Sequence, residues 1–304
     1  MKTIGIISEY NPFHRGHKWQ LDELRRRFGA DTGIVCAMSG SFVQRGDFAI
    51  ERAHARAEAA VRGGADLVLE LPLPWSLSSA EGFARGAVGL LGSLGVVTHL
   101  SFGSECGELD PLQRVAQALL DPLLGDDLRA ELRSGIPFAA ARQQAVARRV
   151  GALAELLQAP NNILAVEYLK AISALSLDIT PMTVAREGAA HDGESAAGSR
   201  VRSAMDIRRA LAQGADIASL VPPAAAAVYA REREQGRAQD RERMELAVLS
   251  RLRMLPEEAY AALPDAQHGV GARLYEAARR EASLDAVLAA AKTKRYALSR
   301  IRRM

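Results

Sequence analysis

Two histidines in the run His14-Arg15-Gly16-His17 have the types and spacing best suited to chemistry in this chain. They follow a short apolar run, Ile4 to Ile7, and precede apolar residues at helical spacing, namely Trp19, Leu21, Leu24 and Phe28. This order predicts a strand, a turn and a helix, with the histidines where free backbone N–H groups and the helix dipole attract an anion. Gly16 permits close backbone approach, and imidazoles can donate hydrogen bonds to a phosphate gaining charge. We interpret the turn as a phosphate site, the alternative being a surface loop with two incidental histidines.

Further strands and helices alternate along the first half of the chain. Buried strands are predicted at residues 32–38, 65–71, 98–102 and 178–185, and helices at about 17–28, 50–62 and 80–94. Polar loops follow the strands, including Ser39 to Asp47 and Gly103-Ser104-Glu105. The alternation predicts an α/β fold with a mostly parallel, Rossmann-like sheet, and ligands bind such sheets outside the carboxyl ends of the strands.

The composition changes past Gly214, where alanine, arginine and glutamate dominate and strand patterns nearly disappear. Residues 109–176 also have helical character, but a strand follows them at 178–185. We therefore predict a nucleotide-binding catalytic domain at residues 1–213 and a helical C-terminal domain at 214–304.

Composition excludes several classes of protein. The 304 residues are 48% hydrophobic and 25% charged, which is typical of a globular protein with a large core. No apolar run is long enough to span a membrane and no signal peptide precedes the first strand, so we expect a cytoplasmic protein. Cys36 and Cys106 are far apart in sequence, which indicates neither a disulfide framework nor a zinc site. The net charge of +3 by itself says little about nucleic acid.

One further segment has phosphate-binding character, and two other polar sites have simpler explanations. Ser203 opens a predicted helix with Arg208 one turn later, so the hydroxyl, the backbone N–H groups and the guanidinium could clamp outer phosphates. Asn161 lies in the tract from Pro160 to Lys170, where helix N-capping is the simpler explanation. His191-Asp192 fits a solvated loop pair better than a catalytic dyad.

Basic residues crowd the C-terminus, with no acidic residue after Asp285. Helical spacing would bring Lys292, Arg295 and Arg302 towards one side. This pattern predicts either an RNA-facing surface or a solvated amphipathic helix. The candidate RNA contacts are Lys292, Lys294, Arg295 and Arg302.

The His-x-Gly-His turn resembles that of the HxGH nucleotidyltransferase superfamily, whose members transfer AMP from ATP to an acid or phosphate. Within that superfamily the chain resembles the bacterial tRNA(Met) cytidine acetate ligases. The matching motifs span nearly the whole chain: Glu9 to His17, Met38 to Gly46, Gly64 to Pro72, Phe102 to Glu105, Pro160 to Lys170, and Lys292 to Tyr296.

The resemblance implies a function and a set of site residues. Members of the family use ATP to join acetate to AMP and then acetylate the wobble cytidine of elongator tRNA(Met). We infer no obligatory protein partner. His14 and His17 would be catalytic, and magnesium would be held largely by ATP, because no carboxylate cluster forms a metal cage. The residues expected to bind ATP are Ile7, Ser8, Glu9, Tyr10, Asn11, Pro12, Phe13, His14, Arg15, Gly16, His17, Lys18, Trp19, Gln20, Gly103, Asn161 and Arg186.

The chain departs from the family pattern in three places. Met205 replaces a hydroxyl residue, no tyrosine precedes His191-Asp192, and the sequence ends shortly after Tyr296 where relatives continue. These departures put RNA binding in more question than adenylation. Two alternatives stand beside the ligase hypothesis. One is a small-molecule adenylyltransferase, and the other is a tRNA-binding protein that has lost catalysis.

Overall fold

The fold is built on a parallel sheet. The computed structural model describes residues 2–185, 203–264, 266–267, 269–293 and 296–304. In these residues five strands lie in the order β3-β2-β1-β4-β5. The strands are β1 (Thr3–Ser8), β2 (Gly33–Ser39), β3 (Leu67–Leu71), β4 (His99–Ser104) and β5 (Thr180–Ala185). The predicted α/β class and parallel sheet are thus confirmed.

Helices connect the strands and form the C-terminal part. Those up to β5 are α1 (Arg15–Phe28), α2 (Ala53–Arg62), α3 (Leu73–Ser76), α4 (Ala80–Ser93), α5 (Leu109–Leu120), α6 (Leu124–Arg133), α7 (Phe138–Val150) and α8 (Pro160–Ala174), with a 3-10 helix at Gly151–Gln158. Those after β5 are α9 (Ala204–Ala212), α10 (Pro223–Glu234), α11 (Arg241–Met254), α12 (Glu257–Ala261), α13 (Val270–Arg280), α14 (Leu284–Ala291) and α15 (Leu298–Arg303).

The central strand β1 marks the point where the strand order changes direction. Ile6 of β1 aligns with Cys36 of β2 on one side and with Ser101 of β4 on the other. The chain therefore proceeds outwards from β1 to β3 and then returns to the opposite side of β1. Such a switch point opens a crevice at the carboxyl ends of the two strands. The His14–His17 turn follows β1 directly, so the topology places it at this crevice.

Both faces of the sheet are covered by helices. In β2, Val35 and Ala37 belong to a core shared with α4, α5 and α8, whereas Ile34, Cys36 and Met38 belong to a core shared with α1, α2 and α10. Alternate strand residues point to opposite faces, and each face of a parallel sheet needs an apolar cover. Strand β2 is accordingly apolar at every position from Ile34 to Met38.

A third core joins helices α11 to α15, from Leu249 to Ile301. Helix α10, by contrast, contributes Val228 and Tyr229 to the core beneath α1 and α2. The predicted boundary near residue 214 places α10 with the C-terminal helices. Since α10 shares its core with the sheet, we propose that the boundary lies near residues 235–240.

Lys292 and Arg302 do not share a helix, so the helical spacing expected of these two residues was wrong. Helix α14 ends at Ala291, and its C-cap Lys292 has an extended backbone conformation. The guanidinium of Arg273 donates to the carbonyl oxygens of Ala290 and Lys292, at 2.9 and 3.4 Å. These side-chain bonds satisfy carbonyl groups at the end of α14. Lys292 ends that helix, whereas Arg302 lies in α15.

None of the helices within the described residues combines the length and the apolar character needed to cross a membrane.

Candidate active site

The two histidines of the turn cap the first helix with their own side chains. His14 is the N-cap of α1, and its Nδ1 accepts the backbone N–H of Gly16 at 3.1 Å. His17 Nδ1 accepts the backbone N–H of His14 at 3.3 Å, completing a reciprocal capping box. A neutral imidazole nitrogen that accepts a hydrogen bond carries no proton, so both rings carry their proton on Nε2. The cap thus sets Nε2–H as the donor of each histidine.

Aromatic rings hold the histidines in this orientation. The imidazoles of His14 and His17 stack with centroids 3.7 Å apart, and Tyr10 packs edge-on against His17 at 4.8 Å. Phe13 stacks against His17 with its centroid 5.8 Å away, and its ring also packs edge-on against Tyr10 at 5.0 Å. Tyr10 has a positive φ of 43°. Residues other than glycine rarely adopt this backbone conformation, which here directs the chain out of β1 into the turn.

Long-range hydrogen bonds fix the backbone of the turn. Asn11 Oδ1 accepts the N–H of Ile50 at 2.8 Å, and Phe13 donates its N–H to the Tyr229 hydroxyl at 3.0 Å. Arg15 Nε donates to the carbonyl of Ser219 at 3.1 Å. Three distant segments therefore position the residues between β1 and α1. Tyr229 was absent from the sequence prediction, because an alanine-rich helix such as α10 does not reveal which residue reaches another element.

Arg56 is the main structural residue that the sequence analysis missed. It is 0% exposed, and its guanidinium donates to the carbonyl oxygens of Glu9, Ser39, Gly40 and Glu51. Burial lowers its pKa to about 10, so it stays charged at neutral pH. It joins the carboxyl ends of β1 and β2 beside the crevice. The available sequence signal was its place on the apolar side of α2, among the buried residues Ala55, Ala59 and Ala60.

Glu9 places a carboxyl group at the start of the turn. Its Oε1 accepts the N–H of Gln44 at 3.0 Å. Burial raises the pKa of the Glu9 carboxyl, and the Gln44 N–H and the charges of Arg208, Arg45 and Arg56 oppose that rise. Three arginines are thus within electrostatic range of one carboxylate at the crevice.

The carboxyl end of β4 meets the start of α8 through Glu105. Its carboxylate accepts the backbone N–H groups of Asn161 and Asn162, at 3.0 and 2.7 Å, and the Asn161 side-chain amide at 2.7 Å. Asn162 Oδ1 in turn accepts the N–H of Glu105 at 2.9 Å. The expected N-cap at Asn161 was wrong: Ala159 is the N-cap, and the Glu105 carboxylate takes the place of a capping side chain.

Helix α9 brings Arg208, but not the hydroxyl of Ser203, to the turn. Ser203 and Asp206 form a capping box, in which the Ser203 hydroxyl donates to the Asp206 carboxylate at 2.7 Å. Arg208 Nη1 donates to the carbonyl of Asn11 at 2.8 Å. Burial lowers the pKa of Arg208, while Glu9 and Asp47 oppose that shift. Met205 is 45% exposed beside the cap.

The remaining expected ATP residues are spread along the crevice and α1. Ile7 and Ser8 end β1, and Gly103 lies in β4 opposite Val184 of β5. Gln20 Nε2 donates to Ser101 Oγ at 3.2 Å, which links α1 to β4. Lys18 pairs with Asp22 on the exposed side of α1, and Trp19 is 50% exposed. Pro12 follows Asn11 through a cis peptide bond, and Arg186 lies outside the described residues.

The expected RNA contacts at the C-terminus have different environments. Lys292 is exposed at the end of α14, whereas Arg302 is 26% exposed and forms ion pairs with Asp285 and Asp47, at 3.2 and 4.0 Å. Lys294 and Arg295 lie outside the described residues. Two carboxylates therefore lie beside the Arg302 guanidinium.

The described residues contain no group of three or more histidine, cysteine, aspartate or glutamate side chains placed to hold a metal ion.

Comparison with known proteins places this arrangement in a family. The HIGH Nucleotidyl Transferase family matches residues 1–304. The tRNA(Met) cytidine acetate ligase of Syntrophotalea carbinolica is 38% identical over 307 residues, which cover 100% of this chain and 73% of that protein. The enzyme of the same name from Syntrophomonas wolfei is 38% identical over 313 residues, covering 100% of this chain and 74% of the relative.

Solved structures agree with the sequence relatives. The crystal structure of Thermotoga maritima TmcAL (apo, form I) matches with a TM-score of 0.92 at 34% identity, covering 100% of this chain and 74% of that one. The structure of the same protein bound with alpha-thio ATP matches with a TM-score of 0.89 at 34% identity, covering 100% and 73%. The chain belongs to the tRNA(Met) cytidine acetate ligase family, within the HIGH nucleotidyl transferases.

Proposed function

We propose that this protein uses ATP to activate acetate as acetyl-adenylate and transfers the acetyl group to the wobble cytidine of elongator tRNA(Met). The observation that carries the proposal is the histidine cap of α1. Both Nδ1 atoms accept backbone N–H groups, so the turn presents Nε2–H donors at a helix N-terminus. Membership of the family supplies the acid and the acceptor.

In the first step an acetate oxygen attacks the α-phosphorus of ATP. A new P–O bond forms, the bond to the β-phosphate oxygen breaks, and pyrophosphate leaves. Negative charge spreads over the phosphate oxygens in the transition state. His14 and His17 donate from Nε2 to that charge, and Arg208, held against the Asn11 carbonyl, offsets it further.

In the second step the exocyclic amine of cytidine attacks the acetyl carbonyl carbon. An N–C bond forms, the bond from the acyl carbon to the AMP oxygen breaks, and the amine loses a proton. The donors that stabilised the α-phosphate in the first step also stabilise AMP as the leaving group. One phosphate site therefore serves both steps.

We place ATP along the crevice between β1 and β4. The turn from Ile7 to Gln20 and Gly103 would contact the nucleotide. Asn161 would act from the start of α8, where the Glu105 carboxylate now occupies the N–H groups. Ser203 would have to leave the Asp206 carboxylate to bind a phosphate, so Arg208 is the stronger member of the proposed clamp. Arg186 is proposed to bind ATP on the family resemblance alone. ATP itself would carry Mg²⁺ on its pyrophosphate oxygens, and we propose a cytoplasmic location.

The test is exchange of labelled pyrophosphate into ATP with different acids. We expect exchange that depends on acetate, followed by acetylation of an elongator tRNA(Met) transcript. Exchange supported by a pantetheine phosphate or nicotinate mononucleotide instead would identify a small-molecule adenylyltransferase. Tight tRNA binding without any exchange would identify a protein that has lost catalysis.

A further inference from the structure

The loop after β2 connects the histidine turn with the C-terminal helices. Its inner contacts reach the turn, because Gln44 N–H donates to Glu9 Oε1 and Ile50 N–H donates to Asn11 Oδ1. A hydrogen bond from Val43 N–H to the carbonyl of Asp47, at 3.0 Å, closes the tip of the loop. The loop is thus a defined element attached to the candidate ATP site at two points.

The tip of the loop contacts the C-terminal helices through charge and close packing. Asp47 forms ion pairs with Arg241 of α11 at 2.9 Å and with Arg302 of α15 at 4.0 Å. Asp285 of α14 pairs with both arginines, at 3.8 and 3.2 Å. Gly46 has a φ of +81°, and a Cβ added there would lie 2.7 Å from the backbone carbon of Arg302. This junction, formed by Gly46, Asp47, Arg241, Asp285 and Arg302, seats the C-terminal helices against the loop.

Arg45 lies between the two sets of contacts, next to Gln44 on one side and Gly46 on the other. Its side chain is exposed, and within the described part of the chain it forms no hydrogen bond or ion pair. Its charge acts on Glu9 and Arg208 at the crevice. Arg241 and Arg302, by contrast, are each paired with carboxylates. Arg45 therefore presents an exposed guanidinium group where the loop joins the candidate ATP site to the C-terminal helices.

We propose that Arg45 binds a backbone phosphate of the acceptor RNA where the RNA crosses from the C-terminal helices to the candidate ATP site. This inference rests on the proposed function, since it requires an RNA acceptor. A guanidinium suits a phosphate because its planar N–H groups can bond two phosphate oxygens. ATP is the less suitable partner, because Arg45 is exposed to solvent whereas we propose that the nucleotide lies against the N-terminus of α1.

The experiment compares Arg45→Gln and Arg45→Lys with the wild type for binding of an elongator tRNA(Met) transcript from low to moderate salt. We expect Arg45→Gln to weaken binding on the order of tenfold at low salt and to flatten the slope of log affinity against log salt by roughly 0.7 to 0.9. Arg45→Lys keeps the charge and should restore the slope. Arg133→Gln on α6 is the matched control, because Arg133 is also an exposed arginine and does not belong to the junction.

Two results would overturn the inference. The first is equal salt slopes for wild type and Arg45→Gln. The second is an unchanged tRNA affinity together with a raised KM for ATP in pyrophosphate exchange, which would make Arg45 a nucleotide contact. The binding titration contains no acetate, so a different acid substrate would contradict the proposed function while leaving the test of Arg45 intact.

Discussion

The histidine turn and the C-terminal basic run are both conspicuous in the sequence, yet their structures differ in kind. In the turn, His14 and His17 hold one another through backbone bonds at a helix start. In the basic run, Lys292 ends one helix while Arg302 lies on another and is paired with two carboxylates. Spacing therefore indicates function where the spaced residues also form the local structure. Charge alone does not, because distant carboxylates can neutralise it.

The contrast between the two regions depends first on a rigid histidine turn, and we expect Arg56 to stabilise that turn. Arg56→Met should lower the free energy of unfolding by about 3 kcal/mol or more, since each buried carbonyl left without a donor costs about 1–3 kcal/mol. Denaturant unfolding measures the loss. Arg62→Met on the same helix is the control, because Arg62 is mostly exposed and pairs with Glu58. Equal stability of the two variants would show that the carboxyl ends of β1 and β2 do not need Arg56.

The chemical role of the turn should show in His17→Ala. Loss of one transition-state donor should lower acetyl-adenylate formation by about a hundredfold or more. Removal of the cap bond from His14 N–H should cost only about 1 kcal/mol of stability. Single-turnover formation of acetyl-adenylate and thermal melting separate the two effects. His54→Ala, an exposed histidine of α2, is the control, and an undiminished rate in His17→Ala would remove that residue from the mechanism.

The buried carboxyl group of Glu51 should make the stability of the protein depend on pH. Burial raises the pKa of Glu51 to about 7. The folded state then keeps its proton after the unfolded state has lost it, so this contribution to stability is complete below the unfolded pKa and is lost as pH rises towards 7. At pH 8, Glu51→Gln should raise the free energy of unfolding by about 1–3 kcal/mol.

Glu58 provides the opposite case for that measurement. Hydrogen bonds from Arg231 lower the pKa of Glu58, so its contribution is present at neutral pH and is lost as pH falls through the folded pKa. Unfolding curves at pH 5 and pH 8 should therefore show Glu51→Gln as stabilising and Glu58→Gln as destabilising at the higher pH. The same sign for both variants would contradict the assignment of Glu51.

The smallest expected effects concern the basic run itself. If Lys292, Arg295 and Arg302 all bound phosphates, their replacement by glutamine would remove about two units of salt slope in tRNA binding. Because Arg302 is ion-paired, we expect Arg302→Gln alone to leave the slope nearly unchanged and Lys292→Gln to flatten it by roughly 0.7. Salt titrations of the single variants decide this. Equal changes for both residues would break the contrast between the two regions.

Much of the fold followed from local pattern. Each strand of the sheet was expected, with bounds that differ by one or two residues, because apolar runs and turn residues act over short distances. The histidine turn was also expected as a helix start, since a cap joins residues that are two or three positions apart. Such contacts depend on the backbone conformation of a single segment.

Only the tertiary structure decided which distant residues support that turn. Arg56 reaches carbonyl groups on two strands, Tyr229 bonds Phe13 across 216 positions of sequence, and Asp47 neutralises Arg302. Glu105 likewise occupies the start of α8, where the sequence indicated an asparagine cap. These partners are brought together by sheet order and helix packing, which no local spacing specifies. A buried polar group needs a partner, but the fold determines which residue provides it.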